Sequence, residues 1–416
     1  MQAARLILPA LVMASACGAR SGLLDPRDGS SNHPATTPDT ARACSSAADC
    51  DDGSPCTEEI CTPAGYCDHR PLPMGSRRTY PIKGLISRGF VQGNQVHGIV
   101  REDLGGALSE LRLQRMTLDG PQGAGTFLAR IDDYRAWDSS AAHTGSGVAL
   151  VSGLNSGLEL RFSSRPDVVE TISPGGIFVH LNWTGSHLLA STDLGYNCAL
   201  AWADQDGHWI SNKLDYTTGA CGTSQIGSTG LPPQGRPAGF SSKGEAVYFS
   251  IDAQGKLTRL SATLDKQRVE TFSFSSPGPK HYHSFVAALF GDRVGAQWVQ
   301  TGDDWRSGSQ VKMAVLSAAD LRLAGAAPHS GVDVTYSMYM DTVHCEGRFV
   351  GVWYRYASSG PSEGWVWQMT RDGTLLGPPV SLGQAASEAG IVEAHCVPGG
   401  VIILRYEEAI ALSCPG

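Results

Sequence analysis

From about residue 78 to its end, the chain repeats one pattern at an interval of about 50 residues. A short apolar strand is followed by a polar or glycine-containing turn and then a second strand. The first strands read Gln95-Val-His-Gly-Ile-Val100, Gly147-Val-Ala-Leu-Val151, Cys198-Ala-Leu-Ala-Trp202 and Ala246-Val-Tyr-Phe249. Val294-Gly-Ala-Gln-Trp-Val299, Phe349-Val-Gly-Val-Trp353 and Val401-Ile-Ile-Leu404 complete the set. With Val96, Val148, Ala199, Val247, Val294, Phe349 and Val401 as markers, the intervals are 52, 51, 48, 47, 55 and 52 residues. Turns such as Asp204-Gln-Asp-Gly207 are of hairpin type.

A β unit of this size cannot cover both of its own apolar faces, so it must stack on its neighbours. Seven such units predict an all-β, seven-bladed β-propeller over residues 78–416, because a four-stranded blade uses about 40–50 residues. A ring of six to eight blades, a large two-sheet β-sandwich and a β-helix are the competing arrangements. The seventh unit ends at its third strand, Ala409–Leu412, near the C-terminus. Its fourth strand must come from elsewhere, and Arg78-Thr-Tyr-Pro-Ile-Lys83 is the expected donor. Composition agrees: 17% charged residues and 50 glycines suit a turn-rich β chain.

The first 77 residues are organised differently. Residues 1–16 read as a signal peptide: one arginine, an apolar stretch too short to span a bilayer, and small residues before Cys17. Ala14-Ser15-Ala16-Cys17 resembles a bacterial lipobox, which implies lipid attachment at Cys17. Gly18 and Ala19, with no aspartate after the cysteine, then imply retention at the outer membrane or cell surface. An ordinary cleavage site, giving a periplasmic or secreted protein, is the alternative. Residues 17–42 follow as anchor and flexible tether, rich in Gly, Ser, Pro, Thr and Asp.

Residues 43–77 hold five cysteines, at 44, 50, 56, 61 and 67, among many carboxylates. A segment this short needs covalent staples. Asp49-Cys-Asp-Asp-Gly-Ser-Pro-Cys-Thr resembles the Cys/Asp-rich modules of exported myxobacterial lipoproteins, a likeness that carries no activity with it. Asp49, Asp51, Asp52, Glu58 and Glu59 offer calcium ligands, yet Gly53 is misplaced for an EF-hand loop, so a solvated acidic turn is the expected role. Beyond Cys17 ten cysteines remain, an even number that fits an oxidising compartment. The expected links are Cys198–Cys221 within the third blade, Cys345 with Cys396 between neighbouring blades, and Cys67–Cys414 to clamp the ring.

The chemistry legible in the sequence is sparse. G-x-S-x-G, H-E-x-x-H and P-loop motifs are absent. A net charge of -8 and the lack of a basic run argue against nucleic acid. Ser250–Gly255 departs from an Asp-box by one position and reads as a hairpin turn. His281 and His283 alternate, which places both rings on one strand face. His143, His344 and His395 precede their markers by five or six residues, with Asp193 at the matching place in the third unit. On a propeller these four cluster at one end of the channel, as a metal or anion site or as repeated turn residues. Three long turns join the marker strands to their partners: Glu102–Ser109, Thr301–Ser307 and Ala357–Glu363. They belong to blades one, five and six and should crown one face. Asp303, Asp304, Trp305 and Arg306, with Tyr354 and Tyr356 nearby, have the composition of a binding surface. The expected function is surface-anchored recognition of a glycan or a protein. An extracellular propeller enzyme acting on glycans and a ligand-free envelope component are the alternatives.

Overall fold

A computed structural model of the chain describes residues 43–415, apart from 133–138, 145–146, 155–156, 173–176, 194–196, 211–214, 219–237, 242–244, 252–255, 266, 274–280, 302–308, 326–327, 335–337, 356–361 and 386–391. Residues 1–42, where a lipobox and tether are expected, lie outside the described residues.

Seven four-stranded antiparallel sheets follow one another. In chain order their innermost strands are Leu85–Gln92, Ser139–Thr144, Ile177–Trp183, Gly239–Phe240, His281–Phe290, Met338–Cys345 and Val392–Val397. Each continues outward through a second, third and fourth strand; neighbouring inner strands touch, except that blades three and four meet through strands further out, where Leu189 and Trp202 pack on Ala246 and Tyr248. The chain is a seven-bladed β-propeller.

Closure follows the sequence expectation. Blade seven contributes Val392–Val397, Gly400–Arg405 and Glu408–Ser413, and its fourth strand is Ser76–Pro81 from the start of the domain. The ladder runs from Ser76 opposite Ser413 to Pro81 opposite Glu408. First and last segments thus share a sheet, which removes a free edge.

Second strands read as unbroken apolar runs because both of their faces are buried. Gly400–Arg405 is buried at every position. Its odd residues Val401 and Ile403 pack with blade six, and its even residues Ile402 and Leu404 pack with blade one. The core is accordingly seven clusters, one in each gap between consecutive blades. Trp202, Phe249, Trp298 and Trp353 are all buried in these gaps. Gly295 marks how tight the packing is, since a Cβ there would enter the ring of Phe349 on the next blade.

The N-terminal module is a single 3-10 turn, Ala47–Cys50, and a two-stranded ladder of Thr57–Cys61 with Cys67–Pro71. Cys44–Cys61 and Cys50–Cys67 staple it internally. Cys414 is bonded to Cys56, which corrects the expected Cys67–Cys414 link. Proximity along the chain misled here. Leu72 donates its N–H to the Cys56 carbonyl at 2.8 Å, and Cys56 packs into the core between blades six and seven, whereas Cys67 is bonded to Cys50 within the module. Cys345 and Cys396 are bonded across blades six and seven. Cys221 lies outside the described residues.

The module docks on one face of the ring. Arg348, fully buried, donates to the carbonyls of Leu72 and Cys56. Gln368 exchanges two hydrogen bonds with the backbone of Met74 at 2.8 and 2.9 Å. Ser54 reaches Glu346 in the first turn of blade six, and Pro55 lies against Gly399 in the first turn of blade seven. The module therefore covers turns that join first to second strands. Antiparallel topology puts the second-to-third-strand turns on the opposite face.

Candidate functional site

The polar residues that the fold brings together lie in the central channel. Glu393 is the second residue of the inner strand of blade seven, and its side chain is buried. One carboxylate oxygen accepts from Arg88 of blade one at 3.0 Å. The other accepts the backbone N–H of Gly89 at 2.8 Å and lies 3.3 Å from Nε2 of His395. Nε2 of His180 approaches the first oxygen at 3.9 Å. His180 belongs to blade three, so this contact crosses the channel. Arg88 reaches inward because it sits in a register shift of its strand between Ile86 and Gly89.

Burial raises the Glu393 pKa, but the His395 hydrogen bond and the charges of Arg88 and His180 outweigh it and hold the carboxyl below its ordinary range. The group is a fixed anion with four partners. That arrangement suits a clamp between the last blade and the first rather than a proton donor.

Glu393 is one of a series. Ser140 of blade two accepts the N–H of Leu181 in blade three at 3.0 Å, and Asp341 of blade six accepts the N–H of Ala394 in blade seven at 2.7 Å. Each sits opposite the residue three positions past its marker: Val151, Val352 and Leu404. Sequence reading missed this series because serine, aspartate and glutamate share no obvious identity. Their common signal is a polar residue opposite the third residue beyond the marker, legible only once strand pairing is known.

The histidines expected to converge have separate partners. His395 belongs to the Glu393 cluster. His344 stacks on Phe290 of blade five at 3.5 Å between ring centroids and meets Phe349 edge-on. His143 lies in the blade-one to blade-two gap near His97. Asp193 is not the equivalent of His143: its marker Ala199 lies on the third strand of blade three, whereas the other markers lie on second strands. The 50-residue interval falls one strand out of step in this unit because its third strand, Asn197–Ala203, is as apolar as a second strand. The side chains of Asp193, His281 and His283 lie outside the described residues.

The expected loop site divides in the same way. Asp303, Asp304, Trp305, Arg306 and Tyr356 lie outside the described residues. Tyr354 does not line a binding surface: it is fully buried and its ring carries the Arg405 guanidinium at 4.7 Å. As the last but one residue of Arg348–Arg355, it faces blade seven in the strand's alternation. The supposed long turn Glu102–Ser109 is also corrected. Its residues extend a ladder that reaches Gly105 opposite Leu108, with positive φ at Gly105, Gly106 and Ala107 forming a tight tip. Leu104 and Leu108 are exposed at this tip.

No protein-family model and no curated protein matches the chain. Among solved structures, the N-terminal domain of Nup159 aligns at 11% identity over 82% of this chain and 90% of its own, with a TM-score of 0.43. A neuraminidase-like protein from a flat-faced bat isolate aligns at 9% identity over 76% and 93% of the two chains, with a TM-score of 0.39. A triple-arginine mutant of AofleA from Arthrobotrys oligospora aligns at 10% identity over 74% and 90%, with a TM-score of 0.37. The fold assignment rests on the strand order itself.

Proposed function

We propose that this chain is an exported, surface-held recognition protein that binds a glycan or another protein on the propeller face opposite its N-terminal module. The docking of the module carries the reading. It leads from the chain's N-terminal side onto one face and is fixed there by Cys56–Cys414 and by Arg348. The other face, formed by second-to-third-strand turns, is then turned away from the tether. Binding residues concentrate in such loops on a rigid scaffold. Lipid on Cys17 would hold the molecule at an outer membrane or cell surface, with residues 18–42 as the stalk. Four disulfides among the described residues fit an oxidising compartment. Among these residues no helix is long and apolar enough to cross a membrane.

A glycan hydrolase or lyase is the second reading, favoured by the convergence of Glu393, His180 and His395. The fixed ionisation of Glu393 supports the clamp instead. A glycan array probed with the exported chain tests the first reading. Trp305→Ala, in the fifth-blade turn, should abolish any signal, and Arg165→Ala, on the module's face, should leave it unchanged. A signal that survives Trp305→Ala but not Arg165→Ala would reverse the assignment of faces. No glycan signal, with no protein captured from the producing cells' envelope, would favour a structural role.

A further inference from the structure

The N-terminal module contains a second cluster, independent of the recognition reading. Glu59 and His69 are directly opposed on the module's two-stranded ladder. Nδ1 of His69 lies 2.5 Å from Glu59 Oε2 and 3.5 Å from Oδ2 of Asp52, which comes from the preceding loop. One donor atom from each of the three residues lies within 4.8 Å of the others. The Thr57 hydroxyl contacts both carboxylates, Asp52 at 3.1 Å and Glu59 at 3.0 Å. His69 and Glu59 are mostly buried, their side chains each 18% exposed, and Asp52 is 35% exposed. The cluster therefore has an inner wall and one side open to water.

We propose that Asp52, Glu59 and His69 form a site for a divalent transition metal, with zinc the best fit. Three arguments converge. Zinc takes nitrogen and oxygen donors at about 2.0–2.2 Å, which puts neighbouring donors of a tetrahedron about 3.3 Å apart. The two contacts of Nδ1 fall either side of that spacing, so small side-chain rotations complete the site. Two carboxylates and a neutral imidazole carry two negative charges, the charge a divalent cation cancels. The imidazole nitrogen selects against calcium, which takes oxygen ligands in larger number. Solvent fills the fourth position from the open side.

The site has a structural use. Cys44–Cys61 and Cys50–Cys67 staple the hairpin's turn end and the 3-10 turn. Neither holds the loop Asp51–Pro55, whose Ser54 contacts Glu346 and whose Pro55 lies close to Gly399. A metal joining Asp52 to the ladder fixes that loop where it meets the propeller. Modules too small for a core use metals in this way.

The test is calorimetric titration of Zn2+ into the intact exported chain, untagged, chelator-treated, with any free thiol alkylated, at pH 7.5. The expected result is one equivalent bound. His69→Ala should weaken it more than about 100-fold, beyond the ~10–100-fold that loss of an outer-shell partner costs. His208→Ala, at an exposed histidine paired with Glu170, should leave it unchanged. Circular dichroism of each variant reports whether the fold survives. Should His69→Ala fail to fold, Co2+ added to the unmodified protein decides: visible absorption that Zn2+ displaces supports the site. No binding by the unmodified protein, or undiminished binding by folded His69→Ala, overturns the proposal. Stronger binding of Ca2+ than of Zn2+ overturns the choice of metal.

Discussion

Glu393 and His97, both buried, each make stability depend on pH, in different windows. Glu393 has its folded pKa depressed, so its contribution to stability is complete above the unfolded carboxyl value of 4.5 and is lost as pH falls below it. Glu393→Gln should remove that acid step. At neutral pH it should also cost about 3–5 kcal/mol, because Arg88 keeps a buried charge with its counter-ion gone. His97 acts at higher pH. Burial, then the neighbouring His143 and Arg115, push its pKa from 6.5 down to about 4. The unfolded chain binds a proton between these values and the folded chain does not, so stability is full above about pH 6.5 and declines toward pH 4. Denaturant midpoints measured from pH 7 to pH 4.5 should therefore slope downward. His97→Phe, which retains the stack on Phe90, should flatten that slope.

Two connections between elements hold the ring shut. The Ser76–Pro81 strand closes blade seven by pairing, and Cys56–Cys414 closes it covalently over a separation of 358 residues. A bond across so long a loop restricts the unfolded chain strongly. Cys414→Ser should lower stability by about 2–5 kcal/mol, read from urea unfolding under non-reducing conditions. It should also leave Arg348 donating to carbonyls that are no longer tethered, so cleavage by thermolysin within residues 43–75, before residues such as Ile60 or Met74, should accelerate. An unchanged cleavage rate would mean that the hydrogen bonds of Arg348 and Gln368 suffice to dock the module.

The whole molecule is a ring in which each blade buries its faces on two neighbours, so no blade can be removed without exposing two core clusters. A chain beginning at Lys83 lacks the fourth strand of blade seven and leaves Glu408–Ser413 as an open edge. Such an edge templates pairing with other chains. Size-exclusion chromatography should show oligomers or aggregate for this truncation and a single monomeric species for the intact chain. A stable monomer of the truncated chain would show that blade seven tolerates three strands. The long pairing between the two ends also means that the fold completes only after the last strand is made.

The sequence by itself determined the architecture. Burial on both faces forces apolar second strands, and stacking forces their regular interval, so blade number and the borrowed closing strand were legible in Val96, Val401 and Arg78–Lys83. The site was legible only in part, for reasons of geometry. Spacing marked His395, but Glu393 and Arg88 meet through the ring's closure and a register shift that no linear pattern encodes. Tyr354 had a binding-type identity, yet strand alternation turned it into the core. Asp193 matched by interval and failed because one apolar third strand imitated a second strand. The Cys414 partner was decided by a hairpin that brings Cys56, not Cys67, to the propeller. Periodicity is a local property written along the chain, whereas the channel cluster, the docked module and the grouping of Asp52, Glu59 and His69 arise from contacts that exist only after the chain has folded.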